Sequence, residues 1–527
     1  MKLKLTTAGR VVLFVIIIAI LCVAGFFGYR YIEEHKPDLI PSFGSDTLDS
    51  TIGTSDTDNK TSNTPAVNKT DTADPTINLS LDEWIGWKPI IDANGGLTTQ
   101  PGSIFDKLGI TVKINIINDA EASSNALIKG DLNAAGYTLN RTAFLSGKFA
   151  DAGLDVVIPV YTNFSDGGDG IIALSKFKSI ESLVDTKIGV PKFSEAQSLV
   201  IWFVNKSDLP DADKQKIIDN LILLEDAEQT GQAFFAGSLD VAATWQPYLS
   251  NAENSTNSHI LFDTTASNKL IMDGILFRSD FASAHPDVVS KFIDGIFQAE
   301  DMYTTEFEYI RKVMPMFADS SDEEILSMCG DAGLMGYSEN LSALENDCPT
   351  VYADMCTIWE SIGETVDRTL GATLFDTSYI KALSDNYSSI QEKETFEITE
   401  EQKETIKNAQ ALLSKSATVN FVINTAKFLD NAEANATLSE FVEIAKTLDG
   451  TVIQIEGNIN SYDDTEAGRK LSEERAKTVK NFFVANGIDA NRIIVVGNGN
   501  TKMIVDPSAQ DSEKNRRTDV FFKTVEG

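Results

Sequence analysis

Gly457-Asn458-Ile459-Asn460 is followed, eleven positions beyond Asn460, by Leu471-Ser472-Glu473-Glu474-Arg475-Ala476, then by Gly487-Ile488 and finally by Asn515-Arg516-Arg517. The flanking pattern fixes a fold for this stretch. Thr451 to Gly457 is apolar and β-branched and predicts a strand. Ser472 to Asn486 predicts a helix, and Arg492 to Gly497 and Thr518 to Thr524 predict strands. Upstream, Val419-Asn420-Phe421-Val422-Ile423 predicts a strand and Leu438 to Leu448 an amphipathic helix. That βαβαβ order suits a compact α+β sandwich.

This segment, residues 416–527, resembles the OmpA-like peptidoglycan-binding domain, whose pattern is G-H-T-D, then L-S-x-x-R-A, then N-x-R or N-R-R. The resemblance implies an extracytoplasmic chain whose C-terminal end takes the peptidoglycan stem peptide. In that family the Asp of the first motif and the Arg of the second grip the zwitterionic diaminopimelate residue. Its carboxylate suits a guanidinium fork, and its ammonium needs an acceptor. Arg475 matches the arginine, and Asn515 and Arg517 match the last motif. Asn460 stands at the aspartate position and Asn458 at the histidine position. An asparagine still accepts a hydrogen bond but brings no charge. Asp463 and Asp464 follow closely and are candidates for restoring an acidic partner. Retained wall binding is the expectation, and a spacer or dimerisation module is the other reading.

A chain of 527 residues exceeds one core and predicts two or three domains. Its formal charge of -34 argues against a nucleic-acid partner, since phosphate binding needs Lys and Arg to displace counterions. Val11 to Tyr29 is apolar and uncharged, long enough to span a hydrocarbon core of about 30 Å. Lys2, Lys4 and Arg10 precede it and place residues 1–10 in the cytoplasm. Residues 11–29 therefore read as an uncleaved, single-pass cell-membrane anchor, with a cleaved signal peptide as the rival. Residues 30–77 are dominated from 41 onward by Ser, Thr, Asp and Asn and predict a disordered tether. Cys22 lies in the apolar segment, while Cys329, Cys348 and Cys356 predict small buried residues or at most one bridge.

Residues 78–387 alternate β-branched runs with amphipathic stretches and predict an α/β domain. Gly109 to Ile116, Leu154 to Val160 and Lys187 to Val190 read as strands, with a helix opening near Ser194. Residues 388–415 read as a charged helical connector.

Four segments of this domain resemble solute-binding proteins of ABC importers, the periplasmic-binding-protein type 2 group that includes nitrate, sulfonate and taurine binders. They are Trp84-Ile85-Gly86-Trp87-Lys88-Pro89, Ala93-Asn94-Gly95-Gly96-Leu97, Ser165-Asp166-Gly167-Gly168-Asp169-Gly170 and Gly237 to Tyr248. The resemblance implies two α/β lobes joined by two crossovers, placed near Tyr161 to Ile171 and Phe262 to Ile275, with a small solute between them and an ABC permease as partner. The glycines at 167, 168 and 170 suit a hinge or a close approach to ligand.

The candidate solute contacts are Trp84, Trp87, Tyr137, Thr138, Asp166, Asp169, Ser194, Trp245 and Asp273. The tryptophans offer flat apolar walls, with Trp245 the best single contact. Tyr137 and Thr138 end a strand, where α/β clefts place ligand contacts. Ser194 as a helix cap favours an anion, whereas Asp166, Asp169 and Asp273 favour an amine. The charge of the ligand stays open at this point.

With His35, His259 and His285 the only histidines, no metal-ligand spacing, nucleophile motif or phosphate loop stands out. A binding protein without cofactor or metal is expected rather than an enzyme. A structural wall protein with no transport role is the alternative. A proton-conducting stator component is disfavoured, because Val11 to Tyr29 holds no ionisable residue.

Overall fold

The computed structural model describes residues 73–267, 269–387 and 398–524. The expected anchor, residues 11–29, and most of the tether lie outside them. No helix among the described residues is long and apolar enough to cross a membrane.

Strands are numbered along the chain. The first sheet holds β1 (Ile77–Leu81), β2 (Val112–Ile116), β3 (Ala134–Thr138), β4 (Val156–Ser165), β10 (Met272–Arg278) and β11 (Ala332–Leu334), in the order β11-β4-β10-β3-β1-β2. The second holds β5 (Asp169–Leu174), β6 (Ile188–Pro191), β7 (Ile222–Leu224), β8 (Val241–Trp245) and β9 (Ser258–Asp263), in the order β7-β6-β8-β5-β9. The chain passes between them twice, from β4 to β5 and from β9 to β10, where the glycine pattern and the resemblance placed the crossovers. These two passages make a pair of lobes. Thr264 ties the passages together: its hydroxyl lies 2.9 Å from Ser165 Oγ and accepts from the Gly167 amide at 2.9 Å. Gly167 has φ 85°, a left-handed conformation that a side chain would strain.

Parallel β1, β2 and β3 need helical crossovers, and the helices that leave β3 and β6 open with hydroxyl caps. Thr138 caps Leu139–Ala152 by accepting from the Arg141 amide at 3.0 Å, and Ser194 caps Glu195–Lys206 by accepting from the Gln197 amide at 3.2 Å. The helix Cys348–Ser361 then braces both lobes. Its Trp359 indole donates to the Asn140 carbonyl at 3.0 Å, and its Asp354 accepts from the Trp202 indole at 3.2 Å. Cys329, Cys348 and Cys356 are free and buried, as the simpler of the two readings expected.

The third sheet holds β12 (Leu413–Ala417), β13 (Val452–Asn458), β14 (Ile493–Gly499) and β15 (Thr518–Lys523), in the order β12-β15-β13-β14. The helices Asn431–Thr447 and Glu466–Ala485 bury Leu438, Phe441, Val479 and Phe483 in its core. The strand expected over Val419 to Ile423 is not there. The strand is Leu413–Ala417, and residues 420–429 form a loop closed by a bridge between Phe421 and Phe428. Ile423 is 84% exposed, so the apolar run there serves the loop and not a sheet face.

This third domain sits directly on the second crossover. The Gly450 amide donates to the Ala266 carbonyl at 3.1 Å, Ser267 Oγ donates to the Thr447 carbonyl, and the Ser416 amide donates to Asp208 Oδ2 at 2.6 Å. A Cβ at position 450 would stand 2.1 Å from the Thr265 carbonyl oxygen. Gly450→Val must therefore open the seam, because backbone on the far side cannot yield as a flexible side chain would. The expected calorimetric result is two separate unfolding transitions in place of a coupled one; a single unshifted transition would show that the seam carries no stability.

Candidate functional site

The sheet topology brings the ends of several strands to the gap between the lobes. On the first lobe, β1 ends before Asp82, β3 ends at Thr138 and β10 begins beside it, with Asp273 in register with Thr138. On the second, β5 begins at Asp169, in register with Trp245 at the end of β8, and β6 leads into Ser194 and Glu195. Strand ends in α/β sheets are where backbone is free and helices begin, so ligands collect there.

Glu195 crosses the gap. Its carboxylate accepts from Thr138 Oγ1 at 2.7 Å and from Arg141 Nη2 at 3.0 Å, both at the start of the facing helix. Trp84 donates through its indole to Asn163 Oδ1 at 2.9 Å, and its ring lies over Gly168, where a Cβ would come within 2.9 Å of it. Trp245 is 41% exposed beside Asp169. Asp169 is buried, and its Oδ2 accepts from Ser165 Oγ at 2.8 Å.

Of the expected solute contacts, Trp84, Thr138, Asp169, Trp245 and Asp273 meet at these facing edges. Four others do different work. Trp87 is fully buried and donates through its indole to Asp82 Oδ1 at 2.6 Å, so it is core and not a wall. Tyr137 is buried with its hydroxyl against Ser123. Ser194 is a plain helix cap whose hydroxyl donates to the Pro191 carbonyl at 2.7 Å. Asp166 is exposed on the first crossover. Glu195, Arg141 and Asp82 were not singled out from sequence, because only the meeting of two lobes makes them neighbours.

The electrostatics of the gap is dominated by carboxylates. Burial, with Glu195 and Asp331 nearby, pushes the Asp169 carboxyl up to about 7. Burial raises Asp273 well above the carboxylate range, with Asp82, Glu195 and Asp169 adding to the shift. A carboxyl whose pKa is raised in the folded state holds its proton there between its unfolded value, near 3.9, and its folded one. The folded state therefore binds more protons over that window, and stability falls as pH rises from about 4 to about 7. Asp169→Asn removes this term. Its expected thermal stability exceeds that of the parent at pH 7.5 by on the order of 1–3 kcal/mol, with the gain shrinking toward pH 5. A gain that is the same at both pH values would refute the assignment.

In the third domain Asn458, Asn460, Arg475, Asn515 and Arg517 surround one end of β13. Asn515 is spent on structure: its Oδ1 accepts from the Ile504 and Val505 amides at 2.9 and 3.1 Å, and its Nδ2 donates to Asn460 Oδ1 at 3.0 Å. Asn460 in turn donates to the Pro507 carbonyl at 3.3 Å. Asn458 donates to Asp519 Oδ2 at 2.9 Å, and Arg517 Nε donates to Asp519 Oδ1 at 2.9 Å, leaving the buried Arg517 Nη1 without a hydrogen-bond partner. Arg475 faces a different loop. Its Nε donates to the Thr425 carbonyl at 3.1 Å and its guanidinium lies 4.8 Å from the centre of the Phe421 ring. No carboxylate among the described residues pairs with it. Burial and then the neighbouring Arg516 hold its pKa below the usual range. Asp464 is not a substitute acid, since Arg469 already takes it.

Residues 420–517 match the OmpA family. The C-terminal domain is OmpA-like. Outer membrane protein A of Bordetella avium is 34% identical over 89 residues, 17% of this chain and 46% of that protein. The OmpA-like domain follows the two α/β lobes. A Brucella abortus (strain 2308) protein, named there only as a candidate binding protein, is 25% identical over 215 residues, 39% of this chain and 61% of that one. The periplasmic aliphatic sulphonate binding protein SsuA from Escherichia coli superposes with a TM-score of 0.45 at 13% identity, over 58% of this chain and 98% of its own. The chain spans 61% or less of the length of the curated relatives it matches. The OmpA-like domain keeps the arginine of its motif as Arg475 and replaces the aspartate with Asn460.

Proposed function

We propose that this chain is a membrane-tethered, extracytoplasmic solute-binding protein serving an ABC-type uptake or sensing system, and that its OmpA-like domain anchors it to peptidoglycan. The observation that carries the reading is the union in one chain of two features. One is a two-lobed domain whose strand ends and helix caps converge on an interlobe gap. The other is an OmpA-like domain with a guanidinium, Arg475, that pairs with no carboxylate among the described residues. The apolar run Val11 to Tyr29 and the polar stretch behind it support a tether that keeps the lobes near a permease. Closure of two lobes about a pair of crossovers is a hinge motion that a bound solute biases.

Two measurements on the full chain in detergent test the reading. Co-sedimentation with purified peptidoglycan tests the anchor, and a saturable change in tryptophan fluorescence on titration with small solutes tests the cleft. Wall binding with no saturable solute would favour a structural wall-associated protein without a transport role. Absence of both responses would overturn the proposal.

A further inference from the structure

The interlobe gap carries its own anion. In an α/β cleft, a helix N-terminus with a hydroxyl cap and an arginine would recruit an acidic ligand group. Here Glu195 from the opposite lobe occupies that position, bonded to Thr138 Oγ1 at 2.7 Å and to Arg141 at 3.0 Å. Both residues belong to the start of the helix Leu139–Ala152. The guanidinium facing the gap is thus already neutralised.

What remains facing the gap is acidic. Asp82 receives the Trp87 indole, and Asp169 receives the Ser165 hydroxyl. Asp273 is only 4% exposed, and the donor beside its carboxylate is the Trp84 indole, which is already engaged with Asn163. No lysine or arginine among the described residues forms an ion pair with Asp82, Asp169 or Asp273. A buried carboxyl without a cation tends to keep its proton, and a cation seated beside it restores the carboxylate, so the free acceptor capacity here favours a positively charged donor. The walls agree with that preference. Trp84 and Trp245 both flank Asp169, and an indole face beside a carboxylate attracts a cation.

Resting on the solute-binding reading, we infer that the cleft takes a cationic solute, an amine or quaternary ammonium, seated between Asp169 and Asp273 against Trp84 and Trp245. Glu195 works as the internal anion that closes the lobes and excludes acidic solutes. It does so by holding the Thr138 and Arg141 donors that an anion would need.

The test titrates the full chain with ethanolamine, putrescine, spermidine and choline, and separately with methanesulfonate and nitrate, following tryptophan fluorescence and the unfolding temperature. The expected result is saturable binding of at least one cation and of neither anion. Asp273→Asn should weaken the cation by roughly tenfold or more, as loss of one charge-assisted contact does, without lowering the unfolding temperature of the unliganded protein. Asp169→Asn is the second variant should that one not fold. Glu195→Gln should let methanesulfonate bind, because it releases Arg141. Saturable binding of methanesulfonate or nitrate by the unaltered chain overturns the inference and leaves the solute-binding reading standing. Silence from all six probes overturns both.

Discussion

Lys88→Met is expected to cost about 3–5 kcal/mol at pH 7, the loss that follows when one partner of a buried ion pair is removed. Lys88 and Asp92 are both fully buried at i and i+4 of one helix turn, with the ammonium 2.5 Å from Asp92 Oδ2 and 2.9 Å from the Met302 carbonyl. The ammonium also lies 5.4 Å from the centre of the Phe307 ring. Asp92 Oδ1 has no hydrogen-bond partner, so the lysine is its main compensation. Burial pushes the Asp92 carboxyl up to about 7 even beside that lysine. Without the ammonium the acid stays protonated to higher pH, so the penalty should shrink as pH falls toward 5. Asp92→Leu combined with Lys88→Met should recover most of the loss, since an apolar pair can replace a buried ionic one. Denaturant melts of the three variants check this. A single Lys88→Met variant with the parent's midpoint would refute it. The consequence reaches the cleft, because this turn directly follows Trp84 and Trp87.

Arg475→Ala is expected to lower peptidoglycan affinity by about 2–4 kcal/mol, roughly thirty- to a thousandfold in Kd, the range for truncating a charged contact. Arg475 is 8% exposed, its guanidinium is held by the Thr425 carbonyl and the Phe421 ring, and it has no acidic partner among the described residues. Losing it should hardly disturb the fold, since its one hydrogen bond is to a loop. Asn460→Asp should act in the opposite direction. An aspartate there still accepts from Asn515 and adds the charge that an ammonium prefers. Co-sedimentation at increasing salt checks both. Undiminished retention of Arg475→Ala, with circular dichroism unchanged, would remove Arg475 from the wall contact.

How much of this was readable from sequence depends on whether the signal was local. The Arg475 motif, the cap Ser194 and the glycine-marked crossover are local patterns, and the last two stand where the sequence placed them. The strand over Val419 to Ile423 was misplaced because an apolar run cannot say what it packs against. Leu413 and the stem of Lys415, in less hydrophobic company, supply the buried face instead. Trp87 looked like a cleft wall by its neighbour Trp84, yet three positions along a 3₁₀ turn it faces inward to Asp82. The Glu195 contact is the clearest case of information held only in three dimensions. Thr138 and Glu195 are 57 positions apart on different lobes, and no periodicity links them.

The seam at Gly450 gives the molecule a mechanical wiring. The OmpA-like domain does not hang from the far end of the two lobes. It presses on residues 265–267, next to Thr264, whose hydroxyl bolts one crossover to the other. If the proposed membrane tether and wall anchor both hold, tension between them would enter the lobes at their pivot, where a small displacement turns into a large change of opening angle. A stretched envelope and an occupied cleft would act on the same joint.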